Sequence, residues 1–185
     1  MNAEARSLTP LRALALGAVA GIGATAVVSL LSRATFGTMD GHERRPNRPR
    51  HPAEALTPGD ALARAADAGP EGSAGKFAMK AATGFFGRDI SQHARLAGEA
   101  VHFAYGTFWG GMFGMVFASV GAPSYKLASL LGLTLWGIGP ATLVPAMKLM
   151  PPLHRYPAHR TGLLVAGHLT YSWTVLELFR RLRRV

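Results

Sequence analysis

Apolar positions gather into four long windows separated by polar chain. The first covers residues 11–31 (LRALALGAVAGIGATAVVSLL), with Arg12 as its only charge. The second runs over residues 99–120, the third over 127–147 and the fourth over 161–179. A bilayer core of about 30 Å, divided by a rise of about 1.5 Å per residue, calls for about 20 mostly apolar residues. Each window reaches that length. The pattern therefore predicts an all-α integral membrane protein with four transmembrane helices, the last two fenced by Lys126, Lys148, Arg160 and Arg180.

Three segments follow from this pattern. Residues 1–31 are an N-terminal tail and the first transmembrane helix. Residues 32–98 are a long, largely irregular polar connection, and residues 99–185 hold helices two to four and a basic tail. The connection interleaves arginine with proline (HERRPNRPRHPAEALTPGD), which removes amide donors and favours extended chain. Short helices are expected over residues 61–68 and 76–86, the second interrupted at Gly84 and Gly87. Asp89 with Gln92 resembles a capping box, and Ile90, Ala94, Ala97 and Val101 follow at helical spacing. That spacing predicts an amphipathic lead-in to the second membrane helix. A cleaved signal peptide is the competing reading of the first window, on Arg6, Arg12 and the Ala18-Val19-Ala20 stretch, but the apolar run continues well past Ala20. Buried helices of a soluble protein are the competing reading of all four.

Composition sharpens the picture. The chain has 185 residues, 20 Lys+Arg against 10 Asp+Glu, a formal net charge of +10 and no cysteine. Absence of cysteine excludes disulfide scaffolds, Cys-ligated zinc, iron–sulfur clusters and a Cys nucleophile. Only 16% of residues are charged, so the basic excess is clustered. The tail FRRLRRV directly follows a window, so it reads as topology and contact with anionic headgroups rather than nucleic-acid binding. With four spans, Arg6, Arg12, Lys126 and Arg180 to Arg184 share one side. The total count of basic residues favours the opposite side, because residues 32–98 are rich in arginine. Short loops and span flanks weigh most, however, so both termini are expected in the cytoplasm. The inverse would set the Arg/Pro segment against the anionic cytoplasmic leaflet.

Small residues form ladders. Ala13, Gly17, Gly21, Thr25 and Ser29 recur at i, i+4 in the first window, and Gly106, Gly110, Gly114 and Ala118 in the second. Such ladders let helices approach closely in lipid, either as an intramolecular hairpin or as a homo-oligomer seam. In the fourth window Gly162, Ala166, Thr170 and Thr174 make a comparable small face. His102 and Tyr105 in the second window are echoed by His168 and Tyr171 in the fourth, and ionisable groups inside a span are functional candidates. Three uses are open: hydrogen-bonded packing, a proton relay or gate near neutral pH, and axial ligation of a haem. Pro140 and Pro145 free the carbonyls of Trp136 and Ala141, which predicts a kink in the third helix; broken helices also line transport sites. Trp109, Trp136 and Trp173 lie away from the interfacial belt, so their indole donors should point into the bundle. Glu177 is spaced to pair with Arg181. No HExxH, GxSxG, phosphate-loop or paired-carboxylate pattern occurs, so no catalytic residue and no metal ligand is assigned.

The stretches GAVAGIGATAVVSLLSRA, HFAYGTFWGGMFG, the Pro-containing third window and GHLTYSWTVLELFRRLRRV together resemble the YagU-like family of bacterial inner-membrane proteins. That resemblance covers about half the chain. It implies an integral inner-membrane protein with a cytoplasmic C-terminus, and it implies no substrate and no catalytic residues. The expectation is a non-enzymatic structural or interaction subunit without a cofactor. Its surroundings would be the lipid bilayer, with a homo-oligomer or another membrane protein as partner. A small transporter or channel-like protein using His102, His168 and the Pro140 kink is the alternative, and a haem-binding protein or intramembrane enzyme comes third.

Overall fold

The structure is a computed structural model, and it describes residues 8–43, 72–87, 89–156 and 158–184. Among these residues all regular structure is helical. Helix α1 spans Pro10–Glu43, α2 Gly72–Phe86, α3 Ala94–Val120 and α4 Tyr125–Ile138. A π-helical turn over Gly139–Leu143 and a short helix α5, Val144–Ala146, continue α4, and α6 spans Ala158–Leu182. Single 3₁₀ turns occupy Ser91–His93 and Leu153–Arg155. Three segments are long and apolar enough to cross a membrane: Pro10–Ala34, Leu96–Val120 and Tyr125–Ala146. Helix α6, the fourth window, is long enough, but His168, Tyr171, Ser172 and Glu177 make it less apolar.

Local chemistry sets the element ends. Thr9 accepts the amide of Arg12 through Oγ1 at 3.3 Å, with Pro10 as first helical residue, so α1 begins on a side-chain cap. Gly121 adopts a φ of 74°, which ends α3 at little cost because glycine has no Cβ to clash. Ser124 Oγ then accepts the Leu127 amide at 3.3 Å and starts α4.

Two differences from the sequence expectation concern the connection. Helix α1 does not stop at residue 31 but continues to Glu43. Helix α2 runs through Gly84 and stops at Gly87, where φ is 60°; one interior glycine costs only about 1 kcal/mol, which neighbouring turns absorb. Beyond it, α3 begins at Ala94 behind a 3₁₀ turn whose His93 amide donates to Ile90 O at 2.8 Å. The helix expected over residues 61–68 lies outside the described residues.

The helices divide into two compact units. The first comprises Met1–Val28, Phe103–Leu135 and Gly167–Val185. Its core is built from Phe113 and Phe117 of α3, Leu135 and Ala128 of α4, Tyr171, Val175, Leu176 and Phe179 of α6, and Ala20 and Ala24 of α1. Spacing of four along α3 and α6 stacks these rings on facing sides. Phe117 meets Phe179 at 5.8 Å and Phe113 meets Tyr171 at 6.1 Å between centroids, within the usual range of attractive aromatic pairs.

The second unit comprises Ser29–His102 and Trp136–Ala166. It carries the end of the third apolar segment and α2. Arg33 and Glu99 pair at 2.6 Å, but both side chains are exposed, so the pair adds little stability in a solvated setting. Lys80 Nζ donates to the Met147 carbonyl at 2.9 Å, capping the broken end of that segment.

Candidate functional site

The most constrained place in the first unit is the seam between α1 and α3. A Cβ on Gly110 would come within 2.5 Å of Gly21 Cα, one on Gly114 within 2.7 Å of Gly17 Cα, and one on Gly21 within 2.9 Å of Gly110 Cα. These obstacles are backbone atoms and have no rotamer to change. Gly17, Gly21, Gly106, Gly110 and Gly114 thus face one another inside a single chain, with Ala13 and Thr25 closing the two ends. Thr25 is buried, donates to Gly21 O at 2.8 Å and lies directly against Gly106.

Gly106 is also where a third helix joins. The Tyr171 hydroxyl of α6 donates to the Gly106 carbonyl. Only a residue without a side chain lets Thr25 lie directly against this position while Tyr171 bonds its carbonyl. Helices α1, α3 and α6 therefore converge on one backbone position.

Of the repeated His and Tyr pairs, the two tyrosines part ways. Tyr171 is buried and bonded, whereas Tyr105 is 42% exposed and stacks edge-on against Trp109 at 6.1 Å. His102 is exposed and falls in the second unit. His168 is part-buried in the first, and its backbone carbonyl abuts Gly132 of α4.

Gly132 went unnoticed in the sequence. A Cβ there would lie 2.5 Å from Ser172 Oγ and 2.9 Å from the His168 carbonyl. Its signal was available as Ala128 and Gly132, a small-xxx-small pair in which both residues are buried. The small face expected on α6 is not the packed one. Gly162 has open space where a Cβ would stand, Ala166 is exposed and Thr170 and Thr174 are only part-buried, while Tyr171, Ser172, Val175, Leu176 and Phe179 are buried. Bulky apolar side chains on that helix bury more area than the small stripe could, so they take the core side.

At Pro140 and Pro145 the predicted kink takes the form of a π-helical turn over Gly139–Leu143. The Val144 amide reaches back five residues to Gly139 O, and Thr142 Oγ1 covers the Gly137 carbonyl at 2.8 Å. These two bonds flank the point where proline withholds a donor. The segment ends at Lys148, whose φ of 56° is the only positive value at a non-glycine among the described residues. Trp136 Nε1 is shielded and has no hydrogen-bond partner among the described residues. The Trp173 indole donor turns to a neighbouring helix, as expected, and bonds Ser129 Oγ at 2.9 Å, while the rest of the ring stays open and the residue is 42% exposed.

A basic hollow forms where the α3–α4 turn meets the end of α6. Gly121, Ala122 and Pro123 line it together with Glu177, Arg180, Arg181, Arg183 and Arg184. Glu177 pairs with Arg180 at 3.0 Å rather than with Arg181, because it also accepts the Tyr125 hydroxyl at 2.6 Å and Arg180 lies over the Tyr125 ring. Arg180 further donates to Pro123 O at 2.6 Å and Arg183 to Gly121 O at 3.1 Å. No group of three or more His, Asp or Glu suited to a metal occurs among the described residues. Compared with protein-family models, curated proteins and solved structures, the chain finds no match.

Proposed function

We propose that the chain is a four-span integral protein of a bacterial inner membrane that acts as a non-enzymatic structural or interaction subunit, with the ends of α1 and α6 that carry Pro10 and Leu182 on the cytoplasmic side. The YagU-like resemblance supports the choice of membrane. One observation supports the fourth span. The polar side chains that lower the apolarity of α6 are spent on partners inside the first unit. Tyr171 bonds Gly106 O, Trp173 bonds Ser129, and Ser172 and Thr174 bond Leu169 O and Thr170 O of their own helix. A polar group already paired costs far less in hydrocarbon than a free one. Meanwhile the large apolar side chains Leu11, Val19, Leu30, Phe108, Leu130 and Leu143 face outward, as a lipid-bathed surface requires.

The chain has no cysteine, so single-cysteine labelling is clean. In sealed membranes, Ala122→Cys and Arg184→Cys should be protected from an impermeant maleimide added outside, and Ala55→Cys and His154→Cys should react. His154→Cys and Arg184→Cys reacting from the same side would reduce the spans to three. The subunit reading is tested by in-membrane crosslinking, which should trap a reproducible stoichiometric partner.

A second reading, a small transporter or channel-like protein, draws on the π-helical turn at Pro140, since broken helices present carbonyls to cargo. Proteoliposome flux abolished by a His102→Ala, His168→Ala double substitution would establish it. A folded double variant without flux, beside a wild type equally without flux, leaves the subunit reading in place.

A further inference from the structure

We infer that the hollow at the end of α6 is a binding site for a phosphate oxyanion, supplied in the first instance by the headgroup of an anionic phospholipid. Among the described residues, four guanidinium groups line it against one carboxylate, that of Glu177. That carboxylate is already engaged by Tyr125 and Arg180. Two of the arginines have a structural duty, Arg180 on Pro123 O and Arg183 on Gly121 O, which holds the α3–α4 turn against α6. The carbonyl ends of α3 and α6 favour cations there, so Arg180 and Arg183 are accounted for. Arg181 and Arg184 are exposed, and among the described residues neither guanidinium makes a hydrogen bond or a close salt bridge, although Arg181 is near enough to Glu177 and Tyr125 to act on both through its charge. Their forks remain available, with the unused N–H groups of Arg183 beside them.

The chemistry selects phosphate. A guanidinium offers parallel donors matched to phosphate oxygens, and charge-assisted bonds of this kind are about twice as strong as neutral ones. The hollow is open to its surroundings and measures about 620 Å³. Its position selects the lipid source. The apolar segment of α3 ends at Val120 and that of α4 begins at Tyr125, so the floor of the hollow, Gly121 to Pro123, stands at the edge of the hydrocarbon, where phosphodiesters lie. Repulsion among the arginines is relieved when the anion enters.

The test uses the full chain in mild detergent and native mass spectrometry, with phosphatidylglycerol, phosphatidylcholine or inorganic phosphate as probe. Phosphatidylglycerol should be retained about tenfold more than phosphatidylcholine, and an Arg181→Gln, Arg184→Gln double variant should lose about tenfold in retention, the effect of one charge-assisted contact. A charge-matched Arg12→Gln, Lys126→Gln control should retain the lipid within about twofold, as diffuse attraction alone is screened by salt. Phosphate binding that vanishes in the first double variant, with no preference among lipids, would assign a soluble phosphate as the source. Equal loss in both double variants, or no binding of either probe, overturns the site. Only the lipid source rests on the membrane reading: if cysteine labelling contradicts the spans while phosphate still binds, that reading alone has failed.

Discussion

The seam between α1 and α3 and the outer face of α6 are both rich in small residues, yet only one depends on them. Along the seam a methyl added at Gly17, Gly21, Gly110 or Gly114 meets backbone, at Gly110 as close as 2.5 Å from Gly21 Cα. At Gly162 an added methyl meets nothing within 4 Å. A run of small residues therefore marks a close approach only when a second run faces it at matching height. The two ladders of α1 and α3 satisfy this within one chain, which fills the seam intramolecularly.

The sharpest way to break this comparison is a pair of substitutions. Gly110→Val should be the most damaging change in the molecule, costing about 3 kcal/mol or more, because neither neighbour has a side chain that can move aside. Gly162→Ala should instead be neutral or stabilise by up to about 1 kcal/mol, the helix-propensity difference. Thermal unfolding of both variants in detergent checks the ranking. Similar losses in the two would show that the seam is not where the small residues matter.

Next in size is the contrast between the two tyrosines. Tyr171→Phe removes a buried hydroxyl from the Gly106 carbonyl and should cost about 1 kcal/mol. Tyr105→Phe, on an exposed ring, should change stability by less than about 0.5 kcal/mol. A Gly106→Ala background sharpens the contrast, since an added methyl there collides with Thr25. If that methyl also displaces the Tyr171 hydroxyl, the two substitutions will fail to add.

Much of this was legible before any coordinates. The helical class, the three most apolar segments, the two glycine ladders and the disturbance at Pro140 all follow from local rules of length, spacing and missing donors. What sequence periodicity misses is which of several equivalent faces wins. On α6 the small face and the Tyr171, Val175, Phe179 face have the same period, and only the partner rings Phe113 and Phe117 on α3 decide between them. The His102/Tyr105 and His168/Tyr171 repeats look alike for the same reason, though their surroundings differ completely. The choice of Arg180 over Arg181 for Glu177 depends on Tyr125, which is remote in sequence. Gly132 was missed because its single small-xxx-small pair with Ala128 is too short to stand out as a ladder.

The third span supplies the smallest and most discriminating comparison, because there the chain solves by a side chain what the seam solves by proximity. Thr142 is exposed, and its hydroxyl donates to the Gly137 carbonyl just ahead of the π-helical turn. Thr142→Val keeps the shape and β-branching but strips the hydroxyl. In water the exposed carbonyl would be rehydrated at almost no cost, whereas in hydrocarbon it has no replacement. The substitution should therefore lower stability by about 0.5 kcal/mol in lipid, the modest size typical of such bonds in membranes. Placing the same variant in a short-chain detergent that lets water reach the turn should shrink the loss towards zero. Measured side by side in the two media, the difference reports whether residues 137–142 are surrounded by acyl chains. An equal loss in both would place that turn in contact with water, and the third span would then end before Pro140.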